Sequence, residues 1–219
     1  MSRHKSTVSI VVTNHNYEPF LDECFESLIK QSYPDELITI IMVDDASTDS
    51  SIEVMDKFQT ECILHEHFRE VTIVKLEENG GVAHASNVGL AHSTSDYYVR
   101  VDSDDVVKPD FIMRLVEELD RYPDINCCAC NYTVSNFKDF PSINMDAKTF
   151  NISCGIMYRR EALLSWGGYN EDYRHKEEEE LRKRVGEDYR IWYTPNDLYT
   201  YRMHAHNKTK QQGYKDTVV

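Results

Sequence analysis

The stretch Tyr97-Tyr98-Val99-Arg100-Val101-Asp102-Ser103-Asp104-Asp105 runs from an apolar, strand-like segment straight into three carboxylates. Side chains alternate along an extended chain, so Asp102 and Asp104 are expected on one face. Hard oxygen ligands so placed suit a divalent cation such as Mg²⁺ or Mn²⁺. Asp105 faces the other way in a straight strand and joins the pair only where the chain turns. Residues of this kind also make acidic turns ahead of helices, and Pro109 supplies such a helix start.

Upstream, short β-rich runs alternate with helical periodicity, the pattern of parallel βαβ units. Val8 to Thr13 reads as a strand, and Phe20, Leu21, Cys24, Phe25, Leu28 and Ile29 then recur at helical spacing within Glu18 to Gln31. A strand over Ile38 to Val43 precedes a helix that starts near Asp49, capped by Ser or Asp. Val71 to Leu76 is a third strand, Gly81 to His92 a helix and Tyr97 to Val101 a fourth strand. The next helix is expected from Pro109 to Arg121. Downstream the reading is a strand over Ile125 to Val134, a loop over Phe137 to Lys148 and a strand over Asn151 to Tyr158. A turn at Trp166-Gly167-Gly168-Tyr169, a helix over Glu177 to Val185 and an extended tail from Ile191 to Met203 complete it.

Polar clusters follow the carboxyl ends of the first four strands: Thr13-Asn14-His15-Asn16, Asp44-Asp45, Asn79-Gly80-Gly81 and Asp102 to Asp105. Asn, Asp and Gly also dominate ordinary turns. In an open parallel sheet, however, these ends share one edge, and ligands bind there. Four clusters in succession point to one site.

The chain has 219 residues, 41% hydrophobic and 28% charged, which suits one well-buried domain without a repeat or linker. No apolar run reaches the ~20 residues a membrane helix needs, and the start does not read as a signal peptide, so a cytoplasmic protein is expected. Six cysteines then read as reduced thiols. Cys127 and Cys130 have C-x-x-C spacing but no second ligand pair at zinc-site distance, and they lie in a strand-like segment. The sequons at Asn131, Asn151 and Asn207 carry no weight without secretion. A formal net charge of −14 excludes a non-specific nucleic-acid binder. An acidic protein that takes an anionic ligand needs a bridging cation, which agrees with the reading of Asp102 to Asp105. The run Glu177 to Glu180 reads on its own as a solvated helix face.

Taken in order, Val8 to Tyr17, Val43-Asp44-Asp45-Ala46-Ser47-Thr48-Asp49, Asn79-Gly80-Gly81-Val82-Ala83 with Asn87-Val88-Gly89-Leu90, and Asp102-Ser103-Asp104 form a series. It continues with Gly167-Gly168-Tyr169 and Glu177-Glu178-Glu179-Glu180-Leu181-Arg182-Lys183-Arg184. In this order and spacing the chain resembles the nucleotide-sugar-dependent glycosyltransferases of family 2, from Val8 to about Thr209. The resemblance implies a GT-A fold: an α/β, Rossmann-like sandwich with a mostly parallel sheet, a single domain over 1–219. Its nucleotide-binding half would cover 1–105 and its acceptor and catalytic half 106–219.

The same resemblance implies roles. Thr13 and His15 border the nucleobase, and Asp45 accepts a hydrogen bond from a uracil ring. Asn16, Gly81, Asn87 and Ser103 join the donor-binding set. Asp102 holds the ribose and Asp104 the metal, with Asp102 and Asp105 as further ligand candidates. Arg202 or His204, in the tail that closes over the diphosphate, supplies positive charge or a metal ligand.

Glycosyl transfer needs a stabilised leaving diphosphate and a general base for the acceptor hydroxyl. The position matching the family's catalytic aspartate is Glu178, a departure that lengthens the side chain by one methylene; Glu177 and Glu179 stand as alternatives. The implied reaction is a metal-dependent, inverting, single displacement from a UDP-sugar to a hydroxyl of a glycan or other acceptor, with Mn²⁺ or Mg²⁺. A thymine ring offers Asp45 the same donor as uracil, and GDP stays open. Peripheral membrane association is compatible with a presented glycan acceptor. Two other readings stand beside this one. The first is a binding protein that keeps the nucleotide-sugar site without activity. The second is a nucleotidyltransferase, disfavoured because Thr13 to Phe20 holds no Gly, Lys or Arg for a triphosphate loop.

Overall fold

The computed structural model describes residues 6–136, 141–205 and 207. Its first half runs β1 (Val8–Asn14), α1 (Glu18–Ile29), β2 (Ile38–Asp44), α2 (Ser51–Leu64), β3 (Glu70–Lys75), α3 (Val82–His92) and β4 (Tyr97–Asp102). These strands pair in the order β3-β2-β1-β4, all parallel. Every residue of β1 and β2 is buried, as expected for parallel strands covered by helices on both faces. The pairing sets Thr13 beside Asp102 and Asn14 beside Asp44, so the polar strand ends meet along one edge.

The second half contains β5 (Val106–Val107), α4 (Phe111–Arg121), β6 (Cys127–Asn136), β7 (Ile143–Met145), β8 (Ile156–Arg159), α5 (Arg160–Ser165), α6 (Glu177–Val185) and β9 (Ile191–Met203). It extends the same sheet as β4-β8-β6-β9-β5, with β7 on β6. Here β8 runs antiparallel to β4 and β6, while β6 and β9 are parallel. The long β9 carries Tyr199 and Arg202 back to the end of β4.

Several sequence expectations change. The fourth helix starts at Phe111, not Pro109, and no local side chain caps it. Gln31 caps it from a distance, accepting from the Ile112 amide at 3.1 Å and donating to the Lys108 carbonyl at 2.9 Å. Part of the expected 137–148 loop forms β7, and residues 137–140 lie outside the described residues. The strand expected over Asn151 to Tyr158 contracts to Ile156–Arg159, and α5 follows it without a periodic signal. Cys127 and Cys130 are buried in β6, and all six cysteines are free thiols.

Gly89 sets how closely α3 lies on the sheet. A Cβ there would stand 2.3 Å from Val11 Cγ1 in β1. We expect Gly89→Ala to cost about 1–3 kcal/mol through overpacking. The midpoint of thermal unfolding would then fall by ~2–4 °C for each kcal/mol. An unchanged midpoint in circular dichroism would show that α3 has room to spare.

Candidate active site

Beyond Asp102 the chain turns at once, and the Asp105 amide donates to the Asp102 carbonyl at 3.0 Å. Strand alternation therefore stops at Asp102, and the three carboxylates do not share one face. Asp102 lies against Arg100, with 3.0 Å between Oδ1 and Nε, and against the Thr13 hydroxyl at 3.5 Å. Asp104 meets His204, with 3.0 Å between Oδ2 and Nε2, and receives the Asn207 amide at 3.3 Å. His204 in turn stacks on Phe20 with ring centres 4.2 Å apart. Asp105 is fully buried and accepts from the Tyr199 hydroxyl and the Arg202 amide, each at 2.8 Å. Burial first, and then Asp104 and Asp102, push its carboxyl well above the usual carboxylate range. The Cys154 thiol stands 3.7 Å from Asp105, and ligand atoms of Asp102, Asp105 and Cys154 lie within 4.8 Å of one another. Sequence reasoning missed Cys154, which is 49 residues from Asp105 and carries no local signal.

This donor set fits a divalent cation. Three carboxylates crowd into one turn, and the nearby guanidinium of Arg202 is already committed. Its Nη1 pairs with Glu23, its Nε donates to the Asp104 carbonyl, and its Nη2 donates to the Phe20 carbonyl at 3.0 Å. Arg202 therefore shapes the aspartate turn, and the charge expected from it for a diphosphate is engaged.

The neighbouring strand ends are tied to one another. Asn14, in the first polar cluster but given no role of its own from the sequence, donates its amide to Asp44 and Ser47 at 3.0 Å each and accepts on its carbonyl from Ser103 at 2.8 Å. One side chain thus joins the ends of β1, β2 and β4. Asp45, expected at the nucleobase, accepts from the Gly80 and Gly81 amides at 2.7 and 2.9 Å and fixes the turn into α3. Gly81 has φ +87°, a left-handed conformation that favours glycine. His15 Nδ1 is 2.7 Å from the Asp45 carbonyl and must donate to it. Asn16 pins the next loop by accepting from the Thr48 amide at 2.7 Å. Asn87 exchanges hydrogen bonds with the Tyr169 backbone at 2.8 Å in each direction, holding the Gly167-Gly168 turn against α3. In that turn Trp166 stacks on Tyr189 at 5.4 Å.

Only part of the glutamate run is a solvated face: Glu179, an alternative base from the sequence, is exposed and Glu180 partly so, whereas Glu177 and Glu178 are 4% and 3% exposed at the start of α6, just after Lys176, whose φ is +60°. Glu178 turns away from the aspartates. It accepts from the Tyr158 hydroxyl at 2.7 Å, from the Tyr189 hydroxyl and from Arg182 Nε at 3.0 Å. Burial raises its pKa, against the lowering effect of those three donors. Glu177 instead pairs with Arg100 at 3.0 Å, and Arg100 reaches Asp102. Burial opposes the charge on Arg100, but Asp102 and Glu177 outweigh it and keep the guanidinium ionised.

The model of glycosyl transferase family 2 matches residues 9–154, two thirds of the chain. The chain belongs to that family. It is 38% identical over 112 residues to Glycosyltransferase GlyG of Streptococcus pneumoniae, covering 51% of this chain and 35% of that protein. An uncharacterized glycosyltransferase of Haemophilus influenzae is 24% identical over 234 aligned positions, covering 95% and 69%. Among solved structures, Staphylococcus aureus TarS residues 1–349 in complex with UDP-GlcNAc has a TM-score of 0.75 at 20% identity, covering 90% of this chain and 59% of that one. The mannosyltransferase PcManGT from Pyrobaculum calidifontis, solved with GDP-Man and Mn²⁺, also scores 0.75 at 20% identity, covering 95% and 60%. These likenesses establish the GT-A fold of this family member. Among the described residues, no helix is long and apolar enough to cross a membrane.

Proposed function

We propose that this family 2 protein transfers a sugar from a nucleoside diphosphate sugar to an acceptor hydroxyl by a single inverting displacement. The observation that carries the reading is the aspartate turn at the carboxyl end of β4, with His204 3.0 Å from Asp104. Asp104 and His204 would hold Mn²⁺ or Mg²⁺, with Asp102 or Asp105 as further ligands. When bound, the ion supplies positive charge for the leaving diphosphate. Asp102 holds the ribose. Thr13 and His15, at the end of β1, border the base, with Asp45 shaping the loop beside them. We assign the general base to Glu177, one of the two alternatives left open by the sequence, because Glu178 is engaged with Tyr158, Tyr189 and Arg182 and Glu179 faces solvent beside Lys176. Glu177 takes the acceptor proton as the oxygen attacks.

UDP is our preferred nucleotide. TarS has been solved with UDP-GlcNAc and PcManGT with GDP-Man, which supports a nucleotide-sugar donor of one of these two kinds. Relatives include a poly(ribitol-phosphate) β-glucosyltransferase, which supports a glycan or polyol polymer as acceptor. Calorimetric titration with UDP, dTDP, GDP and CDP, each with and without Mn²⁺, tests the reading. One nucleotide should bind, and bind more tightly with Mn²⁺. Failure of all four under both conditions would remove the donor site and with it the transferase reading.

A further inference from the structure

Arg100 stands in the middle of β4, a strand otherwise apolar up to Asp102, and is 2% exposed. A guanidinium is costly to bury unless carboxylates compensate it. Two do: Asp102 at 3.0 Å from Nε and Glu177 at 3.0 Å from Nη1. Nη1 also lies 3.4 Å from the Ser86 hydroxyl in α3, and the group sits 5.9 Å from the Tyr169 ring centre. One rigid planar group thus spans two elements that sequence keeps 75 residues apart, at positions 102 and 177. The two contacts differ in kind. Nη1 makes a hydrogen bond to Glu177, whereas Nε has the Asp102 oxygen nearby but makes no aligned hydrogen bond.

We propose that Arg100 is the positioning residue of this site, joining the donor-side Asp102 to Glu177 at the start of α6 and so setting where the base stands relative to the donor. The proposal rests on the reading of Glu177 as the base. It requires both charge and the planar fork, since a lysine ammonium is a point charge on a flexible stem.

The test follows release of UDP from UDP-N-acetylglucosamine, and of GDP from GDP-mannose, with water as acceptor and Mn²⁺ present, in wild type, Arg100→Lys, Arg100→Gln, Arg100→Ala and Glu177→Gln. Folding is checked by near-ultraviolet circular dichroism. We expect Arg100→Lys to lower kcat by about 100-fold, as a misplaced base does, with the calorimetric Kd for the nucleotide within about threefold of wild type. Added guanidinium ion should restore part of kcat in Arg100→Ala, without changing KM. Wild-type kcat in Arg100→Lys, or a loss confined to nucleotide affinity, would overturn the proposal. Unfolding of the lysine and glutamine variants alike would assign Arg100 to the fold instead. Full turnover in Glu177→Gln would sink the base assignment itself, whereas loss there with full turnover in Arg100→Lys would sink only the role of Arg100.

Discussion

Glu177→Gln should lower turnover by about 10²–10⁴-fold, the usual contribution of a general base, and leave nucleotide binding in place. Glu178→Gln should keep turnover within a few-fold of wild type and act on stability instead. The contrast follows from their partners. Glu177 faces Arg100 and through it Asp102, while Glu178 is enclosed by Tyr158, Tyr189 and Arg182. Because burial raises the Glu178 pKa, the folded protein holds its proton more tightly than the unfolded chain. The stability it contributes is therefore full below the ordinary carboxylate value of 4.5 and is lost as pH rises through the raised value. Glutamine has no such proton, so unfolding free energies measured across this range should fall less steeply with pH in the variant. Kinetics of both variants beside urea titrations at several pH values would check the pair. Loss of turnover in Glu178→Gln, with Glu177→Gln unaffected, would return the base to Glu178.

Asp104→Ala should abolish the Mn²⁺-dependent part of nucleotide affinity, a loss of about 100-fold when metal is present and little when it is absent. Its carboxylate faces His204 and Asn207, so its removal strips the aspartate turn of the oxygen that meets a nitrogen ligand. Chelating the metal from wild type should reproduce the same weak binding, and the two effects should not add. Undiminished Mn²⁺ dependence in Asp104→Ala would shift the ion to Asp102, Asp105 and Cys154, whose ligand atoms already lie within 4.8 Å of one another.

The amino-terminal half was legible because β1, β2 and β4 are nearly continuous buried runs, the edge strand β3 is half-buried but still β-rich, and α1 and α2 carry a helical period. Its strand ends marked the candidate site, since parallel pairing fixes those ends along one edge. The direction of individual side chains there was not legible. Alternation predicted a shared face for Asp102 and Asp104, but a turn one residue later cancelled it. In α6 only Leu181 and Val185 are apolar, so the pattern left the helix phase undetermined and the choice among four glutamates open. The Gln31 cap of α4 and the Asn14 tie among strand ends depend on partners tens of residues away. Arg100 did leave a signal: a lone cation inside an apolar strand two residues before the first aspartate.

The threading of β9 back to α1 has a consequence for how the protein reaches its working state. Arg202 grips Glu23 across 179 positions of sequence, and His204 lies on Phe20. Contacts so remote close late, because the chain entropy of a long loop must be overcome before they form. The parallel amino-terminal sheet can therefore assemble while the aspartate turn still lacks its histidine and its guanidinium. On the proposed function, competence to bind a nucleotide would then come only when these contacts close, and a nascent or interrupted chain would hold no finished site for the donor.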